Sequence, residues 1–299
     1  MRQARIQSRG EALAYARQVL EQSGIDAAGA EARILVAGLL GESPEAFFAR
    51  FSQPLPEGFA PRLQSALRRR ARREPLQYIL GETEFFGLPL RVRPGVLIPR
   101  PETEGLVALA RDTLIAMGGA PKVLDVGTGS GAIALALKTL FPDAAVFATD
   151  TSAQALAQAK ENADRFGLSI TFIRAPLTAD LKDLDLIVSN PPYLPETFAQ
   201  SAPPELAFEP AEALFAGRDG LSVARPLARQ AFTALRPGGW LVLELDPSNI
   251  GALANDLTAL GFDRVQILPD LAGRQRYLLG RRPGSAPSEP AGQLELGQP

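Results

Sequence analysis

Between residues 121 and 282 short apolar runs recur between longer stretches of helical pattern, and this alternation constrains the fold more than any other feature of the chain. "PKVLDVG" (121–127), "AAVFATD" (144–150), "SITFIRA" (169–175), "LDLIVSN" (184–190) and "GWLVLELD" (239–246) have the length and branching of strands buried on both faces. Stretches such as "GAIALALKTLF" (131–141) and "AQALAQAKENADRFG" (153–167) separate them at helical spacing. A strand covered on both faces needs helices on both faces, so the pattern predicts an α/β fold with a doubly wound parallel sheet. "DRVQILPD" (263–270) and "RQRYLLGRR" (274–282) add two strands joined by a turn around Ala272 and Gly273, one of them antiparallel. The expected total is seven strands.

The N-terminal quarter reads differently. Residues 1–80 show helical spacing in "EALAYARQVLEQSG", "AAGAEARILVAGLLG", "SPEAFFARF" and "PRLQSALRRRARR", with Asp26 and Ser43 placed to cap helices and Pro44 at a first helical position. Residues 81–101 alternate aromatic and aliphatic residues around Gly-Leu-Pro and Pro-Gly, the pattern of a β-hairpin linker. The expected organisation is a helical domain over 1–80, the hairpin, an α/β domain over 102–282, and a disordered Pro, Gly and Ser rich tail over 283–299. No internal repeat interrupts this order.

Two absences narrow the chemistry. Without cysteine there is no disulfide, thiolate ligand or thiol nucleophile, and without histidine the commonest general base and metal ligand is missing. No metal site is expected. The 299-residue chain carries a net charge of -2, so nothing at whole-chain level advertises a nucleic-acid partner. No signal-peptide h-region or membrane-spanning run is visible, which makes the cytoplasm the expected location.

The first motif is "VLDVGTGSGAIALAL", which sets Asp125, Gly127, Thr128, Gly129, Ser130 and Gly131 between a strand and a helix. Glycines there let the backbone turn sharply and approach a ligand, and the helix N-terminus offers free N–H groups. Gly127, Gly129 and Ala132 also satisfy the looser dinucleotide fingerprint, and Asp150 follows about 20 residues on, at a strand end suited to a ribose. Asp125 and the third glycine favour S-adenosylmethionine instead. That molecule has no pyrophosphate to seat, and its sulfonium and amino group suit carboxylates.

The second motif is "NPPY", residues 190–193, at the carboxyl end of the fourth strand of the sheet, where doubly wound sheets bind ligands. Pro191 and Pro192 have fixed φ and no N–H, so the segment is stiff and rich in acceptors. A conjugated amide or exocyclic amine is a poor nucleophile; acceptors must orient its N–H groups and stabilise the positive charge that grows during methyl transfer. The Asn190 side-chain oxygen and the Pro191 carbonyl can do so, and Tyr193 can cover the planar group.

These motifs, together with "EPLQYILGETEFFG" (74–87), "LIPRPETE" (97–104), "FEPAEALFAGRDGL" (208–221) and "DLAGRQRYL" (270–278), resemble the release-factor glutamine methyltransferases, the HemK or PrmC family. The resemblance runs from about Gly10 to Arg282. It implies a Rossmann-like methyltransferase domain and transfer of a methyl group from S-adenosylmethionine to the glutamine amide in the Gly-Gly-Gln loop of peptide chain release factors. The helical domain would help grip that substrate. By motif, Gly127 to Gly131 would contact the cofactor, Asp150 its ribose, and Asn190 to Tyr193 the glutamine. Relatives often place an acid and a bulky residue after the third strand; here "RAPLTAD" puts Pro176 and Leu177 there, leaving apolar and backbone contacts for the adenine. The alternatives are a ribosomal-protein glutamine or a nucleic-acid base as target. The protein is expected to act as a monomer, without direct contact to nucleic acid or membrane.

Three further features have plainer readings. "LRRRARRE" (67–74) reads as the solvated face of a helix, and Trp240 as core. Arg100, Glu102 and Glu104 either line the mouth of the site or cap a helix.

Overall fold

The computed structural model describes residues 6–284; residues 285–299, most of the tail expected to be disordered, lie outside the described residues. Five helices come first: α1 (Arg9–Gln22), α2 (Ala28–Leu40), α3 (Pro44–Ala49), α4 (Phe59–Ala71) and α5 (Leu76–Leu80). Ser8 opens α1 with a reciprocal cap to Glu11, and Ser43 caps α3 through the Ala46 N–H. Asp26, in contrast, caps nothing: α2 begins after Ala27 and has no side-chain cap. Burial of Ile25 explains the shift, because the Ala28 N–H donates to the Ile25 carbonyl and that turn occupies the position where a cap would act. Ala16, Leu20, Leu35, Phe47, Phe59 and Leu63 meet in one apolar cluster between these helices.

The arginine run departs from its expected reading. Arg70 is 5% exposed, and its guanidinium bonds Glu31 of α2 at 2.6 Å and Glu205 of the α/β region at 3.0 Å. Arg73 reaches the same Glu205 at 3.5 Å. The carboxylates make Arg70 a link between the helical region and the rest of the chain, whereas Arg68 stays exposed on the outer face.

A hairpin of β1 (Glu82–Phe85) and β2 (Leu88–Arg91) follows, pairing Phe85 with Leu88 across Phe86 and Gly87. Both turn residues have positive φ, and Glu104 accepts the Phe86 N–H at 2.8 Å, which holds the aromatic residue in that conformation.

The α/β region runs α6 (Glu102–Met117), β3 (Lys122–Val126), α7 (Ala132–Leu140), β4 (Ala145–Asp150), α8 (Ala153–Phe166), β5 (Thr171–Arg174), β6 (Leu184–Ser189), α9 (Ala224–Ala234), β7 (Leu235–Glu244), α10 (Ile250–Ala259), β8 (Asp263–Pro269) and β9 (Gln275–Arg281). The strand order is β5-β4-β3-β6-β7-β9-β8, with β9 antiparallel to both neighbours. One apolar cluster under α6 and α7 and another under α9 and α10 cover the two faces. Trp240 is half-buried against the first of these. β7 starts at Leu235, earlier than its apolar run, because Leu235 pairs with Leu184 before a register shift.

The order reverses direction between β3 and β6. Their carboxyl ends therefore diverge into opposite crossovers and leave a crevice, the place where open parallel sheets hold ligands. The glycine loop leaves β3 at that point, and Asn190 leaves β6 beside it. Among the described residues no helix is long and apolar enough to cross a membrane.

Candidate active site

The glycine loop is built from beneath. Gly127, Gly129 and Gly131 have φ of 71°, 57° and 87°, and the N–H groups of Gly127 and Thr128 donate to the Thr149 carbonyl of β4. A side chain at Gly131 would press on Leu135 and on the backbone of Ala159. Asp125 lies under the loop, fully buried: its Oδ2 accepts the Thr128 hydroxyl at 2.6 Å and the Ala134 N–H at 3.2 Å, tying loop to helix. Its Oδ1 is buried without a partner. Burial pushes the carboxyl up to about 7, against the pull of the Thr128 and Ala134 hydrogen bonds.

Asp150, at the end of β4, faces the other side of the loop. One of its oxygens accepts the Gly129 N–H at 3.0 Å and the other the Ser152 N–H at 2.8 Å. Two backbone donors orient this carboxylate without covering it.

A cavity of about 690 Å³ opens above the loop. Gly127, Thr128, Gly129, Ser130, Asp150, Leu177, Asn190 and Pro192 line it, together with Ala175 and Pro176. Asp125, Gly131, Pro191 and Tyr193 are not in its wall. Asp125 and Gly131 support the loop from behind, Pro191 is buried, and Tyr193 packs partly buried against the apolar cluster under α9 and α10. Leu177 holds a positive φ of 50°, and its carbonyl accepts the Thr149 hydroxyl at 2.8 Å, which fixes the β5 end of the wall.

The tetrapeptide is held at several atoms. Ser189, just before it, donates to the Val126 carbonyl at 2.7 Å, tying β6 to β3 where they diverge. The Asn190 amide donates from Nδ2 to Thr103 Oγ1 at 3.0 Å. The Tyr193 carbonyl accepts from Asn249 Nδ2 at 2.9 Å, and the Tyr193 hydroxyl donates to Glu244 Oε1 at 3.2 Å. Burial and the neighbouring Glu244 charge push the Tyr193 phenol above its ordinary range, so it stays a donor. Gly220, with φ of 73°, lies so close that a side chain there would run into the Tyr193 carbonyl.

Several wall residues lie in or beside "LIPRPETE", a segment that carries the resemblance but whose pattern assigns Thr103 no role. Thr103 comes from the first turn of α6, and the strap of residues 95–100 closes one side of the cavity. Glu209, almost fully buried, accepts the Ile98 N–H at 3.0 Å and pairs with Arg100, joining "LIPRP" to "FEP". The two segments stand 109 residues apart. Arg100 lines the mouth, whereas Glu104 holds the hairpin turn.

The cavity suits S-adenosylmethionine. The Asp150 carboxylate lines it beside an apolar wall, and the glycines leave room for close approach.

Comparison with known proteins shows what the whole chain resembles. The PrmC N-terminal domain family matches residues 11–81 and the methyltransferase small domain family residues 109–211. A release factor glutamine methyltransferase of Deinococcus radiodurans is 45% identical over 266 residues, covering 89% of this chain and 95% of the relative. One from Cereibacter sphaeroides is 41% identical over 284 residues, covering 92% and 99%. Among solved structures, the hMettl16 catalytic domain in complex with MAT2A 3'UTR hairpin 6 has a TM-score of 0.55 at 18% identity, covering 78% of this chain and 84% of that one. This last likeness concerns the fold alone.

Proposed function

The chain belongs to the release factor glutamine methyltransferase family, and on that premise we propose how its residues carry the reaction. The protein methylates a glutamine of release factors, and S-adenosylmethionine is the cofactor that supplies the methyl group. The target we infer is the side-chain amide nitrogen of the glutamine in the Gly-Gly-Gln loop, presented to the enzyme in the cytoplasm.

The observation that carries this reading is the convergence of Asn190, the glycine loop and Asp150 on one cavity at the point where β3 and β6 diverge. In the proposed assignment Gly127 to Ser130 bring backbone close to the cofactor, Asp150 accepts from its ribose hydroxyls, and Ala175 to Leu177 give an apolar wall to its adenine. Asp125 shapes the loop from below, and Gly131 starts the helix. In this assignment Asn190 Oδ1 accepts from one N–H bond of the glutamine amide, and the carbonyl of Pro191, whose residue is buried behind the wall, is the second acceptor. Such acceptors orient the nitrogen lone pair and stabilise the charge it gains. Pro192 narrows the entrance, and Tyr193 braces the segment from behind. The N-terminal helices would grip the folded body of the release factor.

Methyl-labelled cofactor tests the reading. Offered a release factor, the same factor with the loop glutamine replaced, and unmethylated DNA, the enzyme should label only the first. Asn190→Ala should bind cofactor normally and lower kcat about a hundredfold, as loss of one preorganised acceptor does. Label in DNA, or equal label in the glutamine-replaced factor, would overturn the proposal.

A further inference from the structure

A primary amide has two ends of similar size and opposite polarity, so an asparagine that must accept a hydrogen bond needs something to decide which end faces the substrate. At Asn190 that decision is visible. Nδ2 is spent on Thr103 Oγ1 at 3.0 Å, which leaves Oδ1 as the free end. Thr103 can hold this arrangement only while its hydroxyl accepts from Asn190, and for that its own hydrogen must point elsewhere.

Glu244, at the carboxyl end of β7, holds the other end of the same tetrapeptide. Its side chain has no solvent exposure. Oε1 accepts from the Tyr193 hydroxyl at 3.2 Å, whereas Oε2 has no hydrogen-bond partner. Arg276 lies 4.0 Å away but is committed to Asp270 at 2.9 Å. Burial raises the pKa of the Glu244 carboxyl, and its polar neighbours only partly oppose that. A buried carboxyl so poor in partners costs stability. Nothing in the substrate or cofactor contacts assigned above uses it.

We propose that Thr103 is a positioning residue for the reaction: it fixes the Asn190 amide with its oxygen toward the cavity, while Glu244 holds the far end of the tetrapeptide through the Tyr193 hydroxyl. The inference rests on the assignment of Asn190 as an acceptor for the glutamine amide. Its consequence is selectivity of orientation. With the Asn190 amide reversed, an NH2 would face the substrate NH2, donor against donor, and the lone pair would lose its alignment.

The test uses the full-length enzyme with a release factor as substrate, three single variants and one double variant. Thr103→Val keeps the shape and removes the hydroxyl, Thr103→Ser keeps the hydroxyl, and Asn190→Ala removes the amide. Thr103→Val should lower kcat about 10- to 100-fold, with KM for the release factor and calorimetric cofactor affinity within about threefold of wild type. Thr103→Ser should recover kcat to within about threefold of wild type, which loss of packing alone would not predict. The Thr103→Val, Asn190→Ala double variant should fall within about threefold of Asn190→Ala alone, since Thr103 acts through that amide.

Unchanged kcat in Thr103→Val, an equal loss in Thr103→Ser, or multiplying effects in the double variant would each overturn the inference. Asn190→Ala separates the two levels. A wild-type kcat there removes the acceptor assignment and this inference with it, whereas a low kcat beside an active Thr103→Val removes this inference alone.

Discussion

Replacing Asp125 with asparagine should alter how stability varies with pH more than it alters stability at any one pH. The carboxyl is fully buried, and burial raises it from 3.8 to about 7, with Thr128 and Ala134 opposing and the Asp150 charge assisting. The folded chain therefore keeps a proton that the unfolded chain has released. Stability from the neutral form is complete below about pH 4 and drains as pH rises to about 7, above which the loss is finished. At about 1.4 kcal/mol per pH unit, the full loss is about 4 kcal/mol, of which about 3 kcal/mol falls between pH 5 and pH 8. Asparagine cannot ionise and keeps an acceptor for Thr128 and Ala134. It also places an NH2 where Oδ1 has no partner, at a cost of about 1–3 kcal/mol. The two proteins should thus be about equally stable at pH 5, and the variant more stable by about 1–3 kcal/mol at pH 8. Urea unfolding of the cofactor-free proteins at pH 5, 6, 7 and 8, extrapolated to water, measures the difference. A gap that stays constant across that range would show that Asp125 titrates normally in the folded chain, and the account of its burial would fail.

Other substitutions probe the remaining contacts. Asp150→Ala should weaken cofactor binding by about 1.5–3 kcal/mol, the worth of a charge-assisted hydrogen bond, and unchanged affinity in calorimetry would remove Asp150 from the cofactor site. Arg70→Met strands Glu31 and leaves Glu205 only Arg73 at 3.5 Å, and should cost about 3 kcal/mol in urea unfolding. Glu205→Gln leaves Arg70 paired with Glu31 and should cost no more than about 1 kcal/mol; equal effects would refute the buried link. Gly220→Ala forces a side chain against the Tyr193 carbonyl at a positive φ, so kcat should drop about tenfold or more while cofactor affinity holds; a normal kcat would show that this contact does not set the tetrapeptide.

What could be read in the sequence, and what could not, follows from how far each interaction reaches along the chain. The strands were legible because burial on both faces writes an apolar run into consecutive residues, as in Val123 to Val126 and Leu184 to Val188. Seven apolar runs were enough for the sheet, with β9 antiparallel to its neighbours, although the edge strands β5 and β8 are only half-buried. The readings that failed depend on partners elsewhere. Asp26 has the right type and nearly the right place for a cap, but the turn that buries Ile25 moved the helix start past it. Arg70 looks like its neighbours in an arginine run, yet one face of α4 meets Glu31 and Glu205, the second of them 135 residues away. Leu235 extends β7 through a register shift that no apolar pattern announces.

The same distinction runs through the candidate site. In a parallel sheet every strand delivers its last residue to one edge, so a motif that ends a strand has its address in space determined by local pattern alone. The glycine loop after β3, Asp150 at the end of β4 and Asn190 after β6 are of this kind, and the reversal of strand order between β3 and β6 sets two of them side by side. Thr103 belongs to a helix that precedes all three strands, and Glu244 ends the strand on the far side of β6. Each reads locally as something ordinary, a helix-start threonine and an acid after an apolar run. Only the packing of α6 across the sheet brings Thr103 to Asn190, and only the β6–β7 pairing puts Glu244 behind Tyr193. Substrate-facing groups are thus exposed in the sequence by the strands that carry them, and the groups that orient them are concealed because orientation comes from a second element crossing the first.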